Sequence, residues 1–195
     1  MNQLFGDFKE EILANHKLFK IDFFIHSIPI ERRKQTRYLF IVFITDYLAT
    51  LFPVDEEDIN SYERQLQMKS AVSYIANELL ENSMKFNHES VNYPIEFGIC
   101  FLEKVLVFVV SNCASEKTLE RFKEFVHELT NSDIDALYFC QLKKGFEEKS
   151  EESRLGFLSL ITDYSAKLGW KIETVNKDPE ITTITTMVQL TTELT

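Results

Sequence analysis

The spacing of apolar residues in the first half of the chain predicts helices with one short strand between them. Apolar residues recur at helical intervals over residues 5–19 and over the longest candidate helix, residues 61–87. An aromatic and β-branched stretch at residues 21–28 is typical of a strand. A largely apolar helix is predicted over residues 32–51, and Pro53 follows its end.

The second half of the chain predicts a β-hairpin, three helices and a second hairpin. Strict alternation followed by a continuous apolar run indicates that the second strand of the first hairpin is buried on both faces. The predicted elements are strands at 95–101 and 105–110, amphipathic helices at 119–129 and 134–138, a polar loop at 145–153, a helix at 155–168 with Gly169 as its C-cap, and strands at 170–175 and 181–190.

This order of elements favours an α+β fold. Antiparallel strands with helices stacked on one face form a two-layer α/β sandwich, with a mostly antiparallel mixed sheet. No flexible linker divides the chain, so we expect one domain over residues 1–195. Residues 1–58 would be an N-terminal extension packed on the same core.

Composition narrows the classes of partner. Lysine and arginine total 21 against 31 aspartates and glutamates, a net charge of −10 that disfavours binding to nucleic acid. The chain has 17 phenylalanines but five glycines. We therefore expect a large aromatic core, and few places where the backbone can wrap a phosphate.

Cysteine spacing and hydropathy favour a cytoplasmic protein. Cys100, Cys113 and Cys140 have no close spacing that would suggest a disulfide framework or a metal site. The most apolar run, residues 38–45, is far shorter than the roughly 20 residues that a membrane span needs. The N-terminus lacks the apolar core of a signal peptide, so we expect no membrane association.

The long helix carries the most informative polar pair. Glu78 and Asn82 are four residues apart and therefore share a helix face, with Asn82 at the edge of the apolar stripe. The Glu78 carboxylate could deprotonate a hydroxyl, and the Asn82 carbonyl oxygen suits Mg²⁺. The alternative is a polar helix edge in which Asn82 bonds to nearby backbone.

The segment Glu78-x-x-x-Asn82-Ser83-Met84-Lys85-Phe86 resembles the N-box of the histidine-kinase-like ATPase (GHKL) superfamily, E-x-x-x-N-A-x-K/H. That superfamily includes sensor kinases and anti-sigma-factor serine kinases, and its fold is an α/β sandwich. More narrowly, residues 70–86, 109–113 and 153–157 resemble the SiaB-like bacterial regulators. The resemblance covers most of the chain.

The resemblance implies a role for each matching residue. Glu78 would take the general-base position, Asn82 would be the Mg²⁺ ligand, and Lys85 would approach phosphate. Asn112 stands where the superfamily has the aspartate that reads the adenine amino group. Gly156 occupies the second glycine box. The implied cofactor is ATP or ADP with Mg²⁺.

Both glycine boxes depart from the superfamily pattern. The D-x-G-x-G box reads Asn-Cys-Ala-Ser-Glu at residues 112–116, and only Gly156 remains of G-x-G-L-G. Without these glycines, backbone N–H groups cannot close around phosphates in the usual way. Two functions therefore stay open: an ATP-dependent serine/threonine kinase acting on a small regulatory partner protein, and a non-catalytic module that binds such a partner. A different adenine-containing cofactor, such as a flavin, is a third alternative, and a homodimer is also possible.

Overall fold

A computed structural model describes residues 2–55, 57–147, 155–177 and 180–192. It contains both helices and strands. In order they are β1 (Asn2–Gly6), α1 (Glu10–Asn15), β2 (Phe19–Phe23), α2 (Ile30–Ala49), α3 (Ser61–Phe86), β3 (Ile95–Leu102), β4 (Val105–Cys113), α4 (Glu116–Asn131), α5 (Ile134–Glu147), α6 (Leu155–Thr162), β5 (Lys167–Lys177) and β6 (Glu180–Thr191).

The six strands within the described ranges form one sheet in the order β1-β5-β6-β4-β3-β2, and every pair of neighbours is antiparallel. The predicted first hairpin is confirmed: β3 and β4 are joined at a turn where Glu103 adopts a positive φ of 48°. The run from Leu106 to Val110 is buried throughout, because both faces of β4 are covered. The predicted α+β sandwich is thereby confirmed.

The main core lies between the sheet and helices α2 to α6. Ile75 and Leu79 of α3 are fully buried, as are Phe97 and Phe108 on the sheet face below. This packing fixes the rotation of α3, since its apolar stripe must face the sheet. None of the described helices combines the length and apolarity that crossing a membrane requires.

A smaller apolar cluster covers the opposite face of the sheet. Phe8 and the first helix, α1, pack there over Val107, Val109 and Met187. These residues alternate along their strands with those of the main core, so they point to the other side. Burying them requires apolar cover, which the N-terminal segment supplies.

The N-terminal segment differs from its helical prediction. The single helix predicted over residues 5–19 is wrong, because β1, the short α1 and the start of β2 occupy that stretch. Phe5 pairs with Trp170 in the sheet, and Gly6 turns the chain with a φ of 59°. Pairing with a distant strand therefore outweighs the local helical spacing. β1 and β2 form the two edges of the sheet.

The helix predicted over residues 155–168 is shorter than expected. Ser165 adopts a positive φ of 51°, and the Ala166 N–H donates to the Leu160 carbonyl at 3.0 Å, which closes the end of α6. The prediction of Gly169 as a helix C-cap is wrong, since this residue lies inside β5. Most of the polar loop predicted at 145–153 lies outside the described residues.

Candidate functional site

A cavity of about 300 Å³ lies against α3, α4, α6 and the strands β4 and β6. This volume is at the lower end of the range for small-molecule sites, about 300–1,000 Å³. Its apolar lining is Leu79, Phe86, Phe122, Phe125, Phe157 and Ile184, and its polar lining is Asn82, Ser83, Asn112, Lys117, Thr118, Arg121 and Thr186. Within the described part of the chain, no carboxylate lines it.

Asn112 provides a buried amide at the sheet side of the cavity. It lies near the end of β4, and its Nδ2 donates to the Cys113 carbonyl at 3.2 Å. The same carbonyl accepts from the His88 backbone N–H at 2.8 Å, and the Cys113 N–H donates to Asn87 Oδ1 at 3.2 Å. Because Nδ2 is used in this network, the Asn112 carbonyl oxygen is the group that can accept a hydrogen bond from a ligand.

Asn82 reaches the cavity from α3. Its side chain is half-buried, and among the described residues no hydrogen bond ties down its amide. The hydroxyl of the next residue, Ser83, donates to the Leu79 carbonyl at 2.6 Å, so its hydrogen bond is made within the helix. The Asn82 amide can therefore bind a ligand or the hydration shell of an ion.

Lys117 and Arg121 give one wall of the cavity a positive charge. They lie four residues apart on α4 and therefore share a face of that helix. Ser115 caps the helix, its Oγ accepting from the Thr118 backbone N–H at 3.3 Å. The N-terminal end of a helix also attracts anions, which adds to the two cations. The sequence predictions missed both cations, because their i, i+4 spacing places them on one face of α4 but does not show that this face borders a cavity.

Glu78 lies outside the cavity lining, one helical turn before Asn82. Its half-buried carboxylate contacts Gly156 at the start of α6 so closely that a Cβ atom there would collide with it. Burial raises the pKa of the Glu78 carboxyl, with a further contribution from Glu81 and an opposing one from Arg37. The structure thus places the Glu78 carboxylate between α3 and α6.

Lys85 and Gly156 also lie outside the cavity lining. Lys85 is exposed, with its Nζ 5.3 Å from the centroid of the Phe86 ring. Gly156 contacts Glu78. Of the five residues predicted for the site, the cavity brings together Asn82 and Asn112.

The same residues can be compared with the ligands that a metal ion needs. No group of three histidine, cysteine, aspartate or glutamate side chains in the described ranges could hold a metal ion. Asn82 would offer one carbonyl oxygen, and Mg²⁺ prefers six oxygen ligands, many of them water or phosphate. These residues therefore fit Mg²⁺ that arrives with phosphate oxygens and not a resident metal ion.

The contact between Glu78 and Gly156 predicts coupled effects on stability. Alanine is favoured over glycine in a helix by up to about 1 kcal/mol, but in the wild type its Cβ would displace the Glu78 carboxylate. We expect Gly156→Ala to be more favourable in a Glu78→Ala background, with a coupling of at least about 0.5 kcal/mol. Urea unfolding of the four proteins measures it. Additive effects would contradict the contact, and a cycle of Gly156→Ala with Glu81→Ala is the matched control.

Comparison with known proteins shows that the fold of this chain is similar to that of a solved structure. No protein-family model matches the chain, and a search of curated proteins found no significant match. Among solved structures, the chain is similar to a chain in the crystal structure of the SiaB–SiaC complex from Pseudomonas aeruginosa, with a TM-score of 0.56 and 13% sequence identity. The match covers 93% of this chain and 94% of that chain. The two chains therefore share a fold over nearly their whole lengths.

Proposed function

We propose that this chain is a regulatory protein that binds an adenine nucleotide in the cavity between α3 and α4 and acts through a small partner protein. The nucleotide proposal rests on one observation, the set of groups that line the cavity. It combines aromatic walls, a buried amide oxygen at Asn112 and two cations at Lys117 and Arg121. These are the three kinds of group that a base and its phosphates require.

Each part of an adenine nucleotide has a matching group. The rings of Phe122, Phe125 and Phe157 suit the flat face of a base. The carbonyl oxygen of Asn112 suits the adenine amino group, a donor that guanine lacks at the same position. The two cations suit the phosphates, and Asn82 would complete the coordination of Mg²⁺ held by those phosphates.

The proposal of a partner protein is supported by the likeness of fold. The solved structure with the similar chain is of a complex between SiaB and SiaC. We infer that this chain likewise acts by binding another protein, with the nucleotide as a ligand that stabilises one state of the fold.

Phosphorylation of a serine or threonine on the partner is the second candidate function. One observation favours it: Glu78 lies one turn from Asn82, and burial raises the pKa of its carboxyl, as a general base requires. We place it second because Glu78 contacts Gly156 and does not line the cavity. Phosphorylation would become the first candidate if the wild type released ADP from ATP, and if Glu78→Gln lost this activity while its affinity for ADP stayed unchanged.

A flavin is the third alternative. A flavin in the same cavity would make the purified protein yellow.

A thermal shift series tests the proposal. A ligand at 100 times its Kd stabilises by about 2.7 kcal/mol, which in a chain of this size raises Tm by about 5–10 °C. We expect ADP with Mg²⁺ to produce such a shift. AMP should produce a smaller shift because it offers the cations fewer phosphate oxygens. GDP should also produce a smaller shift, because guanine carries a carbonyl oxygen where adenine carries its amino group. Equal shifts for all three nucleotides, or none, would contradict the proposed site.

A further inference from the structure

The second helix, α2, is apolar on two sides. Phe40, Ile41, Ile44 and Leu48 face the core and are buried. The rest of the helix surface carries five further large apolar residues, spread over about half its circumference. These outward residues are Tyr38, Leu39, Val42, Phe43 and Tyr47. A helix that is apolar all round normally has protein on both sides, so this outer side is expected to be covered.

The apolar surface continues from α2 onto the edge of the sheet. Phe19 of the edge strand β2 stacks on Tyr47 with 5.6 Å between ring centroids, and its ring lies 6.3 Å from that of Phe43. Phe43 and Tyr47 are also stacked, at 6.3 Å. We call Phe19 and the five outward residues the α2 face. Clustered, half-exposed aromatic side chains are the residues that dominate binding energy at protein interfaces.

The area of the α2 face is that of an interface. Its six side chains are between 37% and 65% exposed. At about 150–250 Å² for each aromatic side chain and somewhat less for each aliphatic one, they expose on the order of 600 Å². A standard interface buries about 800 Å² per partner, of which a polar rim supplies part.

Charge indicates which molecule covers the α2 face. The start of α2 carries exposed Arg32 and Lys34 beside Glu31. Near its end Asp46 is exposed and paired with Lys69 at 3.0 Å, and Asp55 and Glu57 follow in the next loop. Two copies of α2 packed antiparallel would place the basic start of each helix beside the acidic end of the other. The net basic start and the acidic loop after the helix end therefore favour a second copy of the chain, related by two-fold symmetry, as the occupant of this face.

We propose that the chain forms a homodimer in which the α2 faces of two copies pack against each other, with their α2 helices antiparallel. None of the cavity-lining residues belongs to α2, so the proposal does not depend on nucleotide binding.

Light scattering after size exclusion tests the proposal. We expect wild-type protein at twice the 22.9 kDa chain mass, and Leu39→Glu/Phe43→Glu protein at the chain mass with an unchanged circular dichroism spectrum. Phe139→Glu, one such change at a 63% exposed residue of α5, is the control and should leave the dimer intact. A wild type that is monomeric at every concentration overturns the proposal. This holds even if the α2 face then proves to bind a different protein. A dimer that survives Leu39→Glu/Phe43→Glu also overturns it.

A charge-exchange experiment tests the antiparallel arrangement. Arg32→Glu/Lys34→Glu protein has acidic residues at both ends of α2, and Asp46→Lys protein has basic residues at both ends of the helix, with Asp55 and Glu57 unchanged. We expect each variant alone to dimerise more weakly than the wild type, and an equal mixture to form heterodimers in native mass spectrometry. A random mixture of dimers would overturn the antiparallel arrangement. Circular dichroism of each variant checks that the fold is retained.

Discussion

Replacing both Lys117 and Arg121 by alanine is expected to weaken ADP binding by about a hundredfold. Hydrogen bonds to charged groups contribute about 1.5–3 kcal/mol each, and both cations are exposed, so the low end of this range applies to each. Their loss removes the positive wall of the cavity and leaves the aromatic walls in place. Isothermal titration calorimetry of wild type and variant measures the difference in affinity.

The control is Lys123→Ala, which removes one positive charge from the same helix at a residue that does not line the cavity. It should change the affinity for ADP by a few-fold at most. Without ligand, the three proteins should unfold within a few degrees of one another, since the replaced side chains are not part of the core. If Lys117→Ala/Arg121→Ala and the control weaken binding equally, the phosphates do not lie at this wall.

Gly169→Ala is expected to destabilise the fold by about 3 kcal/mol and to lower Tm by about 6–12 °C. A Cβ at this position would overlap backbone atoms of Asp7 and Phe8, where the chain crosses the sheet. That crossing is fixed by two bonds: the Asp7 N–H donates to the Leu168 carbonyl at 2.8 Å, and Gln189 Nε2 donates to the Asp7 carbonyl at 2.7 Å. Because backbone cannot swing aside, Phe8 would be drawn out of the cluster it helps to cover. Chemical denaturation measures the change.

Gly98→Ala is the matched control for Gly169→Ala. A Cβ at Gly98 would meet the end of the Leu18 side chain at 2.9 Å, and that side chain can rotate away. We expect this variant to stay within about 1 kcal/mol of the wild type. Equal losses at the two glycines would contradict the close backbone crossing at Gly169.

Elements set by local patterns were predictable from the sequence. The β3–β4 hairpin and the long helix α3 follow from alternation and from helical spacing within the elements themselves. The N-terminal segment was not predictable in this way, because Phe5 is held in β1 by pairing with Trp170 near the other end of the chain. The same holds for Gly169, whose role depends on Phe8 crossing above it.

The residues of the candidate site were likewise predictable only in part. Asn82 and Asn112 were predicted from the resemblance of their segments to known sequence boxes, and the structure brings both to one cavity. Lys117 and Arg121 lie on a helix whose apolar pattern predicted its packing but not which polar edge would border a cavity. Lys85 was predicted from its place in the N-box, but it lies in the last turn of α3 and is exposed.

The central claim is that the cavity between α3 and α4 binds an adenine nucleotide, and equilibrium dialysis of labelled ADP with Mg²⁺ tests it most directly. The wild type should bind one ADP per chain, and ATP should displace it more effectively than GTP does. Lys117→Ala/Arg121→Ala protein at the same concentration should retain far less label. No retention of ADP by the wild type, or equal retention by the two proteins, would contradict the claim.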